Sequence, residues 1–221
     1  MVTAEILPFP LVTDPKGSES STQQVASAAH RRFNSMVFPA GHEIYAQGER
    51  AGAHFRVLSG AVRIYRLLSD GRRQISGFCL SGEIFGFEAD DTHHFFAETL
   101  CPTRLCPVPI NLHSTSSSDD LFASAVRALV RAQEHLLLLG RQDASQRMAA
   151  FFLEMLDRQG GEGQIELLMS RNDIADYLGL SLETVSRVIS RLKCDGVIKL
   201  TSIRCVEIVR RKYLYAPSLS H

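Results

Sequence analysis

The chain has 221 residues, enough for one large domain or two modest ones. It carries 24 Lys and Arg against 24 Asp and Glu, so its formal net charge of zero excludes a bulk electrostatic pull toward nucleic acid or a membrane surface. Hydrophobic residues make up 45%, which fits a globular core, and no apolar run approaches the roughly twenty residues that span a bilayer.

The start, Met1 to Thr22, has neither the basic n-region nor the apolar core of a secretion signal. Its Pro, Ser, Thr and Gln content reads instead as a flexible N-terminal tail, taken as residues 1–28. From Met36 to Pro109, short apolar or alternating segments are punctuated by glycines at strand-like intervals. Val57–Tyr65 reads as a strand, a tight turn at Gly60 and a second strand. Ser69-Asp70-Gly71-Arg72-Arg73 reads as a hairpin, because Asp-Gly suits a primed turn. Regular short strands with turn signals predict a sandwich or roll of β-strands, bounded at 29–117.

After a polar break at Ser114–Asp120, a long helical stretch begins near Asp119 and runs to about Ser145, and its domain is set at 118–145. Leu121, Phe122, Ala125, Leu129, Ala132, Leu136 and Leu139 follow helical spacing, and Leu136–Leu139 makes the helix apolar on more than one side. So wide an arc needs more cover than one domain supplies, and a second copy of the helix is the economical partner. Leu129, Leu136 and Leu139 are the expected dimerisation residues; burial within one subunit is the other reading. A further helix, Ala144–Arg158, buries Met148, Phe151, Phe152 and Met155, and Gly160-Gly161-Glu162-Gly163 forms a flexible loop after it.

Residues 146–221 hold the most informative pattern. Ser170-Arg171-Asn172-Asp173 resembles a capping box, with Asp173 where Glu or Gln is usual. Ile174, Ala175, Tyr177 and Leu178 give a short amphipathic helix, and Gly179 stands where a left-handed residue ends it. Ser181 then caps a second helix with Leu182, Val185, Ile189 and Leu192 as its apolar stripe. Two short helices joined by a Gly-containing turn make a helix-turn-helix, whose second helix enters a DNA major groove. Glu183, Ser186 and Arg187 share the exposed face of that helix. Arg grips guanine through two bonds, Glu accepts from the cytosine amine, and Ser serves several bases. A solvated face with an ordinary Glu–Arg pair is the alternative.

Val197–Leu200 and Arg204–Val209 read as the two strands of a wing. Between Glu183 and Lys212, eight basic residues stand against three acidic ones, a local excess suited to phosphates. The expected phosphate contacts are Ser170, Arg171, Thr184, Arg191 and Lys199; for Arg171 a surface ion pair is equally open.

Five scattered cysteines, an odd number, argue against a disulfide framework and for a reducing cytoplasm. Cys101 and Cys106 lack the spacing of a zinc pair, so no metal is expected. Cys194, beside Lys193 at the end of the reading helix, is a candidate redox site, although burial as an inert thiol is the favoured reading. His93-His94 invites a haem, but an exposed loop pair is favoured. The β segment has no His-x-His with a following acid, so no cofactor and no catalysis are expected.

Taken together, these segments resemble the cyclic AMP receptor and fumarate–nitrate reduction (Crp/Fnr) regulators, from Met36 to Ile208. The resemblance rests on Phe38-Pro39-Ala40-Gly41, Gln47-Gly48-Glu49, Leu58-Ser59-Gly60 and Gly82-Glu83-Ile84-Phe85-Gly86 in the roll, then Ser170–Leu180 and Glu183–Arg187. It implies an α+β fold: an N-terminal β-roll (a cyclic-nucleotide-binding-like jelly roll), a long dimerisation helix and a C-terminal winged helix-turn-helix. Glu183, Ser186 and Arg187 together look like the oxygen-responsive branch, which implies a homodimer on double-stranded DNA bearing an inverted TTGA-type repeat. By resemblance, the turn at Asp70–Arg73 touches RNA polymerase; a solvated turn is the safer expectation.

The family's iron–sulfur cluster uses cysteines near the N-terminus, and none precedes Cys79 here. Its cyclic-nucleotide members use a Gly-Glu for ribose and an Arg-Ser or Arg-Thr for phosphate. Gly82-Glu83 survives, but His93-His94-Phe95-Phe96-Ala97 fills the phosphate segment. Gln133–Arg141 and Arg147–Phe151 resemble the FixK-like branch, which lacks the cluster. That branch implies an activator of low-oxygen respiration, denitrification or nitrogen-fixation genes, active without a ligand. A ligand- or redox-gated member of the family is the alternative.

Overall fold

The computed structural model describes residues 35–108, 115–141 and 143–215. The expected tail at 1–28 and the start of the polar break at Ser114 lie outside these residues.

Eight strands build the roll: β1 (Met36–Phe38), β2 (Glu43–Tyr45), β3 (His54–Ser59), β4 (Ala61–Leu67), β5 (Arg73–Leu80), β6 (Ile84–Phe85), β7 (Phe96–Thr99) and β8 (Thr103–Val108). They form two four-stranded antiparallel sheets, ordered β1-β8-β3-β6 and β2-β7-β4-β5. Tyr45, Val57, Val62, Phe85, Ala97 and Leu105 form a buried cluster of the roll, since alternate residues of each strand point inward. The strands flanking Gly60 do not pair; Gly60, at φ +86°, passes the chain from one sheet to the other. A Cβ there would lie 2.8 Å from the Pro102 carbonyl oxygen, so close approach and a left-handed backbone both demand glycine.

The β4–β5 hairpin is present, with a connection of five residues, Leu68–Arg72, where a primed turn at Asp70-Gly71 was expected. The Leu68 amide donates to the Arg72 carbonyl at 2.8 Å, and Gly71 takes φ +81°. The Asp70 carboxylate accepts from the Arg72 amide at 3.0 Å and holds the bend.

Helix α1 spans Thr115–Leu139, about 37 Å at 1.5 Å per residue. It stops short of Ser145. Gly140 follows it, and Asp143 caps the next helix by accepting from the Ser145 amide at 2.8 Å. That helix, α2, covers Ala144–Arg158, the range read from the sequence, with Met148, Phe151, Phe152 and Met155 fully buried.

The C-terminal head comprises β9 (Gln164–Glu166), α3 (Arg171–Leu178), α4 (Leu182–Cys194), β10 (Ile198–Leu200), β11 (Cys205–Ile208) and α5 (Arg211–Tyr215). Its sheet runs β10-β11-β9. The wing therefore has a third strand, β9, just after the Gly-rich loop. Roll and head share one core: Ile75, Phe78 and Leu80 of β5 pack in the same cluster as Phe152, Leu178 and Ile189.

Helix α1 leaves Phe122, Val126, Leu129, Leu136 and Leu137 exposed, with Phe122 at 73% and Leu129 at 59%. Residues 122, 126, 129 and 136 follow heptad spacing. Leu139, the third of the expected dimerisation residues, is half-buried against this chain's own core, near the turn at Gly179.

Candidate nucleic-acid interface

The second helix of the helix-turn-helix is α4, and both of its flanks are fixed by local chemistry. The Ser170 hydroxyl accepts from the Asp173 amide at 3.1 Å, and Asp173 Oδ2 accepts from the Ser170 amide at 3.0 Å. The shorter aspartate thus closes the capping box as a glutamate would. Gly179 ends α3 in the left-handed conformation, at φ +61°. The Arg147 guanidinium of α2 donates to the carbonyls of Leu178 and Gly179 at 3.0 and 3.4 Å, satisfying the open end of α3. Ser181 then accepts from the Thr184 amide at 3.2 Å and starts α4.

Val185, Val188, Ile189 and Leu192 of α4 are buried. Val188 joins the expected stripe in place of Leu182, which is exposed because it is the first residue of the helix. The opposite face presents Glu183 and Arg187 to solvent, with Ser186 half-buried between them. Glu183 sits in the first turn, where its own backbone amide and the Ser181 hydroxyl hold its carboxyl below the usual carboxylate range. It is therefore an acceptor at neutral pH. Arg187 Nη2 rests on the Thr184 hydroxyl at 3.4 Å, a weak bond that groove contacts readily replace.

The expected phosphate contacts fall into two sets. The Ser170 hydroxyl is committed to its cap, donating to Asp173 Oδ2 at 2.6 Å. Arg171 is exposed beside the reading face and donates to the Ser186 hydroxyl at 3.5 Å. Thr184 accepts from Ser181 at 3.1 Å. Arg191 lies 3.9 Å from Asp195, and Lys199 lies 3.7 Å from Glu207, directly across the wing. Both pairs are exposed, and such pairs are worth little in water. At the wing tip, Ile203 is fully exposed.

Cys194 is exposed, not buried as the sequence suggested, because it ends α4 on the side away from Leu192. The two histidines also divide. His93 is buried, stacked on Tyr45 with centroids 3.6 Å apart, and bonded to Glu88 at 3.1 Å. His94 is half-exposed and bonded to the same carboxylate at 3.0 Å. Glu88, with help from Asp90, raises its pKa.

A cavity of about 290 Å³ lies between the roll and the helices, lined by Tyr45, Phe78, Glu88, Arg131, Arg158 and Tyr177 among others. Arg158, which lines it, is engaged in an internal ion pair. Arg158 of α2 donates to Glu83 at 2.9 and 3.2 Å, to Glu154 at 2.7 Å and to the Phe78 carbonyl. The Leu80 amide and Arg131 also face Glu83, at 3.0 and 3.8 Å. The carboxylate that would receive a ribose is thus taken. Phe96, in the phosphate segment, stacks on Tyr65 at 5.1 Å. These residues do not fit a cyclic nucleotide. The roles of Arg147 and Arg158 escaped the sequence reading, because both depend on partners far along the chain.

Residues 146–216 match the Crp-like helix-turn-helix domain, and residues 35–111 match the cyclic nucleotide-binding domain. The chain is 49% identical to the nitrogen fixation regulation protein FixK of Rhizobium meliloti (strain 1021) over 178 residues, 80% of this chain and 84% of that one. It is 42% identical to the protein of the same name from Azorhizobium caulinodans, covering 80% and 76%. The solved structure of FixK2 from Bradyrhizobium japonicum superimposes with a TM-score of 0.74 at 39% identity, covering 82% of this chain and 95% of that one. The chain belongs to the Crp/Fnr family, in its FixK-like branch, and is a DNA-binding transcription regulator, not an enzyme.

Proposed function

We propose that two copies of this protein pair along α1 and lower their α4 helices into successive major grooves of an inverted TTGA-type repeat. Glu183, Ser186 and Arg187 read the bases. Arg171, Thr184, Arg191 and Lys199 hold phosphates, with Ser170 positioned beside them. The observation that carries this reading is the capped α4 helix with Glu183 and Arg187 in solvent on one face. The exposed apolar stripe on α1 supplies the pairing surface, and two-fold symmetry then calls for a palindrome. In domain terms, 29–117 serves as the roll, 118–145 as the pairing helix and 146–221 as the reading head.

The FixK relatives carry nitrogen fixation regulation in their names, and the chain's role follows theirs: activation of low-oxygen respiration, denitrification or nitrogen-fixation genes in the cytoplasm. No helix among the described residues is long and apolar enough to cross a membrane. Of the β4–β5 turn at Asp70–Arg73, the exposed Asp70, Gly71 and Arg72 offer RNA polymerase a contact, while Arg73 is half-buried. The internal Arg158–Glu83 pair favours activity without a small effector. The cavity beside it favours a second reading, in which an unidentified ligand gates the protein.

A gel shift at physiological salt tests the first reading, comparing a TTGA palindrome with scrambled DNA of equal length. The palindrome should win by orders of magnitude. Equal binding would end the proposal. A melting temperature raised by a candidate nucleotide would favour the second reading.

A further inference from the structure

The capping aspartate of α3 has a second set of partners. Asp173 is 3% exposed. Its Oδ2 closes the cap, while its Oδ1 receives Arg63 Nη1 at 2.7 Å and Arg73 Nη2 at 2.8 Å, both from the roll. One turn on, Asp176 Oδ2 receives Arg73 Nε and Nη2 at 2.9 and 2.7 Å. Gln74 Nε2 donates to the Asp176 backbone carbonyl at 2.8 Å.

The roll side of this joint is stiff. Arg63 is also held by Glu98 of β7 at 2.6 Å. Arg63 and Arg73 each lie 5.7 Å from the Tyr65 ring, and Tyr65 stacks on Phe96. The donors come from β4 and β5 and the bracing carboxylate from β7, three neighbours in one sheet.

We propose that Arg63 and Arg73 are positioning residues for DNA reading: through Asp173 and Asp176 they set the angle of α3, and so of α4, against the roll. This rests on the dimeric reading above, in which that angle fixes the separation of the two α4 helices. The joint grips the helix before the reading helix and leaves Glu183 and Arg187 in solvent, so it orients the head without covering its face. Apolar contact between roll and head, such as Phe78 against Tyr177 at 5.1 Å, holds the parts together without direction. Forked guanidinium bonds are directional and fix an orientation. Buried ion pairs add little net stability, so a geometric role accounts for them better than a stabilising one.

The test uses the full-length protein on palindromes whose spacer is optimal, or longer or shorter by one base pair, and on a single half-site. Arg73→Glu should lower affinity for the optimal spacer by about tenfold and flatten the preference among spacers, a loss within the usual range of coupling between sites. Half-site affinity should hold. The charge-swapped pair Arg73→Glu with Asp176→Arg should recover spacer preference. Arg73→Lys keeps the charge without the fork and covers the case in which the reversal does not fold; it should flatten the preference partly. Wild-type spacer preference in a folded Arg73 variant would overturn the proposal alone. A wild type with no spacer preference would remove the dimeric reading and this proposal together.

Discussion

The imidazole of His135, on α1, lies flat on the phenol ring of Tyr177 in α3, with centroids 3.9 Å apart and planes 2° from parallel. Its Nε2 donates to the Tyr177 carbonyl at 2.8 Å. Helix α1 and the C-terminal head thus meet at a buried, titratable group.

Burial holds the His135 pKa below the ordinary imidazole value, against smaller opposing effects of the Tyr177 carbonyl and Glu154. The unfolded chain therefore takes up a proton at higher pH than the folded one, and stability falls as pH drops below about 6.5. His54, lowered by burial as well, adds to the same slope. Thermal melts between about pH 7 and pH 5.5 should show a falling Tm. His135→Gln keeps a donor for the carbonyl and should flatten that slope; an unchanged slope would show that the coupling lies elsewhere.

Leu129 and Leu139 separate pairing from folding. Leu129→Asp puts a charge on the exposed stripe and should give a folded monomer by sedimentation, with weakened binding to the palindrome. Leu139→Ala removes packing near Gly179 and should lower the unfolding free energy by about 2 kcal/mol while leaving the dimer intact. Dimers persisting in Leu129→Asp would place the pairing surface off α1.

Arg187→Ala should cost about 1–3 kcal/mol on the palindrome and relax the choice at the guanine. Lys199→Ala should weaken every sequence alike and reduce the salt slope by about one. Identical profiles for the two variants would refute this division of labour.

Exposure of Cys194 at the end of α4 makes its oxidation readable. Peroxide adds polar oxygen beside Lys193 and Arg191, the latter a proposed phosphate contact, and should reduce DNA binding, and Cys194→Ser should resist. Loss of binding that persists in the Ser variant would clear Cys194 of the role.

What was legible in the sequence was local. The Ser170–Asp173 box, the Gly179 stop and the Ser181 cap each act within four residues, and all three stand where the residues put them. The apolar period of α2 likewise gave its true ends. Features that join distant residues were not legible. Strand β9 has three residues, and its partner strand lies some forty positions away, with Ile165 opposite Val206. Gly60 looked like a hairpin turn because a change of sheet and a reversal use the same glycine. The burial of His93 depends on Tyr45 and Glu88, neither adjacent to it. Arg63 reads only as one residue of a strand and Arg73 as the last of a turn, because their partner Asp173 on α3 lies 110 and 100 positions away.

The bond from Arg158 to Glu83 sets the terms for any visitor to the roll. A guanidinium already fixed 2.9 Å from this carboxylate competes with any visiting group for it. A messenger loses that contest unless it brings contacts of its own. On the proposed reading without a small effector, the protein's output would track how many copies the cell keeps, and control would pass from chemistry inside the roll to synthesis and turnover of the chain.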